Sequence, residues 1–251
     1  MIKIDNLSKS YQDLVVLKDV SLEISSGETL VILGRSGVGK SFFLRHIMGL
    51  EKPDSGTVEV NGEVITHLSD HHLYEVIKDM GMLFQANALF DSMSIFENTA
   101  FYLSQHYKKI SFKEIEERVT HALEIVNLAG TENKMPSQLS GGMRKRAALA
   151  RLIVYRPKII LYDEPTTGLD PITAMHINEL ILTTQKELEA TSIVVTHDLT
   201  SALKVGDRIA ILDEGNLAVV VKKEEFLGSQ DPIVLSFLNN AIPQGATFNG
   251  K

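Results

Sequence analysis

The apolar run Thr29-Leu30-Val31-Ile32-Leu33 leads directly into Gly34-Arg35-Ser36-Gly37-Val38-Gly39-Lys40-Ser41. That octapeptide fits the phosphate-cradling pattern G-x-x-x-x-G-K-[ST]. The residues before it read as a short buried strand. Those after it, Lys40 to Leu50, read as a helix with Phe43, Leu44, Ile47 and Met48 on its buried side. A strand, a glycine loop and a helix in that order constrain the fold to an α/β sheet with a phosphate site at a strand's carboxyl end. Glycines let the backbone N–H groups turn inward on the β- and γ-phosphates. Lys40 adds a point charge there, and the Ser41 hydroxyl is placed to ligand Mg²⁺.

A second glycine-bearing turn, Leu139-Ser140-Gly141-Gly142-Met143, follows about a hundred residues later and opens a helix. It offers another set of backbone N–H groups to an anion. One loop suffices to wrap one phosphate chain. A second donor surface therefore points to a nucleotide sandwiched between two copies of the chain.

With 251 residues, of which 44% are apolar, the chain is large enough for one α/β domain with a sizeable core. There are no cysteines, which excludes disulfides and thiolate metal sites. The charged start, Met1 to Asp5, has no signal-peptide pattern. No run approaches the ~18 apolar residues that span a membrane. The expectation is a soluble chain whose membrane role comes through a partner. The formal net charge of −7 argues against a nucleic-acid partner.

Ile2 to Leu7 and Val15 to Ile24 read as strands, with Tyr11 in a polar loop between them. Pro53 to Gly56 reads as a turn, Val58 to Val60 as a strand, and Asn61-Gly62 as a hairpin signal. Gly81 to Gln85 is another strand. From Ala86 to Arg156 the pattern turns helical. Ser94 and Ser111 are expected N-caps, the latter with Glu114 as its capping-box partner, and Gly141 to Tyr155 is the third helix. Strand Lys158 to Tyr162, helix Pro171 to Ala190, strand Thr191 to Thr196, a helix and strand Arg208 to Leu212 complete a largely parallel sheet. The tail from Pro232 carries one short helix, Ile233 to Asn239, before a polar run expected to be mobile.

Asp163-Glu164 ends an apolar strand where ligands bind in such sheets. Asp163 suits a Mg²⁺ shell, and Glu164 suits polarising the attacking water. Gln85 ends a strand and opens the helical region. A neutral side chain there reaches both Mg²⁺ and the water. His197 follows a strand and can bridge the γ-phosphate and Glu164. Tyr11 can stack on adenine. Arg144-Lys145-Arg146 reads as a solvated helix face, and His71-His72 suggests no metal site.

These elements stand in the order found in ATP-binding cassettes, and the chain resembles that family over nearly its whole length. The resemblance implies an α/β P-loop NTPase with an ABC-type mixed-sheet core, an N-terminal antiparallel β-subdomain and an inserted α-helical subdomain. The ATPase domain would span residues 1–230, with a RecA-like core at 1–85 and 157–230, a helical subdomain at 86–156, and a tail at 231–251. Nucleotide contacts would come from Tyr11, from Gly34, Arg35, Ser36, Gly37, Val38, Gly39, Lys40, Ser41 and Phe42, and from Ser140, Gly141, Gly142 and Asp163. Ser41, Gln85 and Asp163 would hold Mg²⁺. Glu164 would be the catalytic base, His197 the switch histidine and Gln85 the lever. Gly168-Leu169-Asp170 would cross the dimer interface. The signature turn ends in Met143 where the family usually has glutamine. That loses a side-chain amide but leaves the Ser140 hydroxyl and the Gly141 and Gly142 amides.

The segment Gly81 to Leu103, the run Leu139 to Met143 followed by Ala147-Ala148-Leu149-Ala150-Arg151, and Asp170-Pro171-Ile172-Thr173 look like the ATPases of Mla/Mce-type phospholipid transporters. This implies a homodimer with ATP and Mg²⁺ at the cytoplasmic face of the inner (plasma) membrane. It also implies a membrane permease, an MCE-domain protein and a STAS-domain partner. The flexible apolar stretch Ala88, Leu89, Phe90 and Met93 would form the permease groove. The alternatives are a small-solute importer, for example of polar amino acids, and a soluble non-transport cassette ATPase.

Overall fold

The computed structural model describes residues 1–241; the polar run expected to be mobile lies outside them. In chain order the elements are β1 (Ile2–Tyr11), β2 (Leu14–Ile24), β3 (Thr29–Leu33), α1 (Lys40–Ile47), β4 (Ser55–Val60), β5 (Glu63–Val64), α2 (Asp70–Ile77) and β6 (Met80–Leu83). Then follow α3 (Ile95–His106), α4 (Phe112–Ile125), a 3₁₀ turn at Pro136–Gln138, α5 (Gly141–Ile153), β7 (Ile159–Asp163) and α6 (Pro171–Leu188). The last are β8 (Thr191–Thr196), α7 (Leu199–Val205), β9 (Arg208–Asp213), β10 (Asn216–Lys222), α8 (Lys223–Leu227) and α9 (Pro232–Ala241). They fall into two compact units. One comprises Met1–Val76 and the chain from Ile193 onward, the other Ile77–Ser192.

The first unit holds two sheets. Strands β2-β1-β4-β5 form an antiparallel sheet. Ile2, Ile4 and Leu7 of β1 are buried, and the register shifts between Ile4 and Leu7. Asn6, at φ 48°, is the extra residue of that bulge and returns Leu7 to the core side. Asn61 and Gly62 (φ 52° and 89°) close the β4–β5 hairpin as expected from a primed turn. In the other sheet β3, buried at all five residues, pairs in parallel with β9, with Leu30 opposite Arg208 and Leu33 opposite Ile211. Antiparallel β10 covers the far edge of β9. A continuous apolar run is what a strand covered on both faces requires.

Helix α1 ends at Ile47, short of the expected Leu50. Gly49, at φ 66°, takes the left-handed position after the helix, and a Cβ there would stand 2.6 Å from Leu73 of α2. Tyr11 is the last residue of β1 and not a loop residue. Strand β10 and helices α2 and α8 add to the elements expected from sequence.

In the second unit β6 and β7 pair in parallel, Met80 opposite Ile159 and Leu83 opposite Tyr162. Gln85 therefore lies two residues beyond its strand instead of ending it. Helices α3, α4 and α5 pack on one another around Ile95, Leu103, Val119, Leu123 and Leu149. Serine and aspartate caps set their starts. Ser94 and Glu97 form a reciprocal capping box on α3. Ser111 accepts from Glu114 N on α4, while the Glu114 carboxylate pairs with Arg118 at 2.6 Å. Ser140 caps α5 and Asp170 caps α6.

Candidate functional site

The glycine loop leaves β3 at Gly34, whose N–H donates to Thr196 O at 3.2 Å. A Cβ on Gly34 would stand 2.7 Å from Leu212 O, so the neighbouring strand's backbone permits only glycine. Gly37 and Gly39 turn the loop at φ 85° and 103°. The Lys40 side chain is buried and its ammonium donates to Gly34 O and Arg35 O, both at 2.8 Å. It thus lies within the curve of the loop. Ser41 follows in the first turn of α1, half-buried. The N-cap Gly39 has no side chain with which to cap α1, and the positive end of the helix falls on this loop.

Tyr11 stands near the start of the same helix, its ring centroid 5.2 Å from that of Phe42. It is 37% exposed, with the Lys9 ammonium 5.3 Å from the ring centroid. His197 follows β8 directly and is exposed. It shares a cleft of about 590 Å³ with Arg35, Ser36, Asp198 and Phe237. The first unit thus brings His197 to the first residues of the phosphate loop. Phe237 comes from α9 and had no local sequence signal beyond a short helical pattern.

In the second unit Asp163 is the last residue of β7, and both it and Glu164 are buried. Glu164 adopts φ 47°, a left-handed conformation that costs a non-glycine residue about 1–2 kcal/mol. Thr167 Oγ1 donates to Glu164 Oε2 at 2.9 Å and orients that carboxylate. The signature turn is built by Ser140, whose Oγ accepts from Met143 N at 3.3 Å. A Cβ at Gly141 would meet nothing within 4 Å, whereas one at Gly142 would stand 2.5 Å from Thr173 Cγ2.

The run Arg144-Lys145-Arg146 is not a solvated face. Lys145 is 2% exposed, and its ammonium donates to Gln85 O at 2.9 Å. Burial pushes its pKa down, and the nearby Asp163 carboxylate opposes that shift. Arg144 donates to Leu139 O at 2.7 Å, and Arg146 to Val126 O and Asn127 O at 3.1 and 2.8 Å. The sequence did carry a signal for Lys145. It shares the i, i+3, i+4, i+7 stripe of α5 with buried Ala148, Leu149 and Leu152.

The stretch after Gln85 is likewise tied down and not loose. Arg151 donates to Ala88 O and lies 4.6 Å from the Phe90 ring centroid. Asn98, fully buried, accepts from Phe90 N and donates to Phe90 O, Met93 O and Ser94 O at 2.8–3.0 Å. Phe84 and Phe90 remain 41% and 36% exposed.

Residues 17–167 match the family model described as "ABC transporter", and this chain belongs to that family. Its fold is that of an α/β P-loop NTPase, and it is an ATP-hydrolysing, ATP-binding subunit of that family. It is 42% identical over 95% of its length to the probable ribonucleotide transport ATP-binding protein mkl of Mycobacterium tuberculosis, covering 66% of that relative. It spans about two thirds of the mycobacterial relatives it matches. It is 40% identical to the intermembrane phospholipid transport system ATP-binding protein MlaF of Haemophilus influenzae, over 95% of this chain and 90% of that one. It is 39% identical to the sulfate/thiosulfate import ATP-binding protein CysA of Bacillus cereus, over 100% of this chain and 70% of that one. Among solved structures, a dimeric post-hydrolysis state of the ATP-binding cassette MJ0796 bound to ADP and Pi superposes with a TM-score of 0.82 at 35% identity, over 89% of this chain and 99% of the other.

Proposed function

We propose that this chain powers phospholipid transport through a membrane permease, as one of two copies that sandwich two ATP molecules. The observation that carries the lipid reading is the 40% identity to MlaF over 95% of the chain. The Met143 ending of the signature turn and the segment from Gly81 to Leu103 support it. The dimeric ADP- and Pi-bound relative supports the paired arrangement. On this reading the chain sits at the cytoplasmic face of the inner membrane, held there by the permease. No helix among the described residues is long and apolar enough to cross a membrane by itself.

In each site, one chain contributes Tyr11 to adenine, Gly34 to Phe42 with Lys40 to the phosphates, and His197 to the γ-phosphate. The partner contributes Ser140 to Gly142. Glu164, held by Thr167, polarises the attacking water and accepts its proton. Ser41, Asp163 and Gln85 offer the hydroxyl, carboxylate and amide oxygens that suit a hard divalent cation. Mg²⁺ held there would neutralise charge on the β- and γ-phosphates. The segment 86–156 is the helical subdomain that transmits closure to the permease, with exposed Phe90 on its docking face. An MCE-domain protein and a STAS-domain protein complete the assembly.

The second reading is a small-solute importer, favoured by the comparable identity to CysA. Affinity purification of the tagged chain from detergent-solubilised membranes, with mass spectrometry of proteins and lipids, separates the two. Recovery of a permease, an MCE-domain protein and phospholipid is expected. A permease with a solute-binding protein and no lipid would overturn the lipid reading.

A further inference from the structure

Thr173 of α6 is bound on two sides. Its Oγ1 donates to Asp170 Oδ2 at 2.5 Å, and its N–H donates to Asp170 Oδ1 at 3.0 Å. On the other side its Cγ2 occupies the position against which a Cβ on Gly142 would collide, at 2.5 Å. A β-branched side chain has one stiff torsion. With Oγ1 fixed on Asp170, Cγ2 has no independent freedom: turning it away from Gly142 takes the hydroxyl off the carboxylate. Asp170 in turn caps α6 through Ile172 N and Thr173 N. Gly141, next to Gly142, faces open space, so the tight approach belongs to Gly142 alone.

We propose that Thr173 is a positioning residue that seats the signature turn against the Gly168–Asp170 loop within one chain, and that its methyl by itself requires glycine at position 142. One methyl and one hydroxyl on the same carbon hold two segments that reach the partner's site. The proposal rests on the reading of Ser140 to Gly142 as the turn offered to the partner's ATP.

The test is a size swap in the full chain, reading both melting temperature without nucleotide and ATPase kinetics. G142A is expected to lower the melting temperature and to cut kcat by about tenfold or more. G142A/T173S, which removes the methyl and keeps the hydroxyl, is expected to regain both, to within about threefold of T173S in kcat, as coupled neighbours do in a double-mutant cycle. If T173S restores neither property, the added Cβ fails for another reason and the proposal is overturned, while the signature reading stands. If G142A lowers the melting temperature but leaves turnover intact, the signature reading fails and the proposal falls with it. T173V keeps the methyl contact and loses the hydroxyl, and covers the case in which G142A does not fold. It is expected to lower kcat at least threefold with the KM for ATP within about twofold, the pattern of an interaction needed after binding. Wild-type kcat in T173V would overturn the link to Asp170.

Discussion

The ammonium of Lys145 and the backbone carbonyl of Gln85 are joined by a 2.9 Å hydrogen bond between residues 60 positions apart. The bond ties the helix that begins at the signature turn to the segment carrying Gln85. Lys145→Met keeps the aliphatic stem and removes the donor. A hydrogen bond from a charged group contributes about 1.5–3 kcal/mol, and the desolvation of Lys145 offsets part of it. The expected loss is about 1–2 kcal/mol, read as a lower urea midpoint, with Lys145→Arg retaining more stability than Lys145→Met. Equal midpoints for wild type and Lys145→Met would remove the anchoring role.

Glu164→Gln preserves shape and removes the base. ATP binding, followed with a fluorescent analogue, is expected to persist, while turnover falls by about 10²–10⁴. Near-normal turnover would move the base elsewhere.

Tyr11→Ala is expected to weaken ATP affinity by about 1–3 kcal/mol, roughly 5–150-fold, by analogy with base–aromatic stacking. Tyr11→Phe keeps the ring and should stay close to wild type. Parallel loss in both variants would implicate the hydroxyl and not the ring face.

His46 gives the fold a pH dependence. Its side chain is buried and its Nδ1 lies 2.7 Å from Phe42 O. Burial holds its pKa below the ordinary 6.5, more than the Phe42 carbonyl raises it, with Lys9 and Asp54 as smaller opposed influences. The unfolded chain therefore binds the proton first. Stability falls as pH drops below about 6.5 and continues to fall until the folded-state pKa is reached. Melting curves from about pH 7.5 to about 5.5 should show a steeper decline for wild type than for His46→Leu. Identical slopes would assign the pH response to other groups.

Asn98 accepts one hydrogen bond from the backbone of residues 90–94 and shares its two amide hydrogens among three of that segment's carbonyls. Asn98→Ala strands those groups, at a cost of about 2–4 kcal/mol when each bond is worth about 1. Proteolysis should then cut first near Phe90. Loss of permease in pull-downs of the same variant would link the ordered loop to docking.

The sequence by itself determined what depends on neighbours a few positions away. Thr29 to Leu33 and Thr191 to Thr196 are strands because their apolar runs suit a sheet covered on both faces. The glycine loop follows from backbone freedom and Lys40. Ser94, Ser111 and Ser140 start their helices by bonds to residues three positions on. The α/β class followed from that alternation. Only the tertiary structure decided what depends on distant partners. The stripe of α5 marks the side on which Lys145 lies, but the carbonyls of Phe84 and Gln85 that receive its ammonium come from about 60 positions away. That position 49 has no room for a side chain was decided by Leu73, which fills the space beside Gly49. Phe237 reaches the cleft of Arg35 and His197 because α9 packs against α7. Local propensity cannot encode such contacts, since burial is set by segments far apart in the chain.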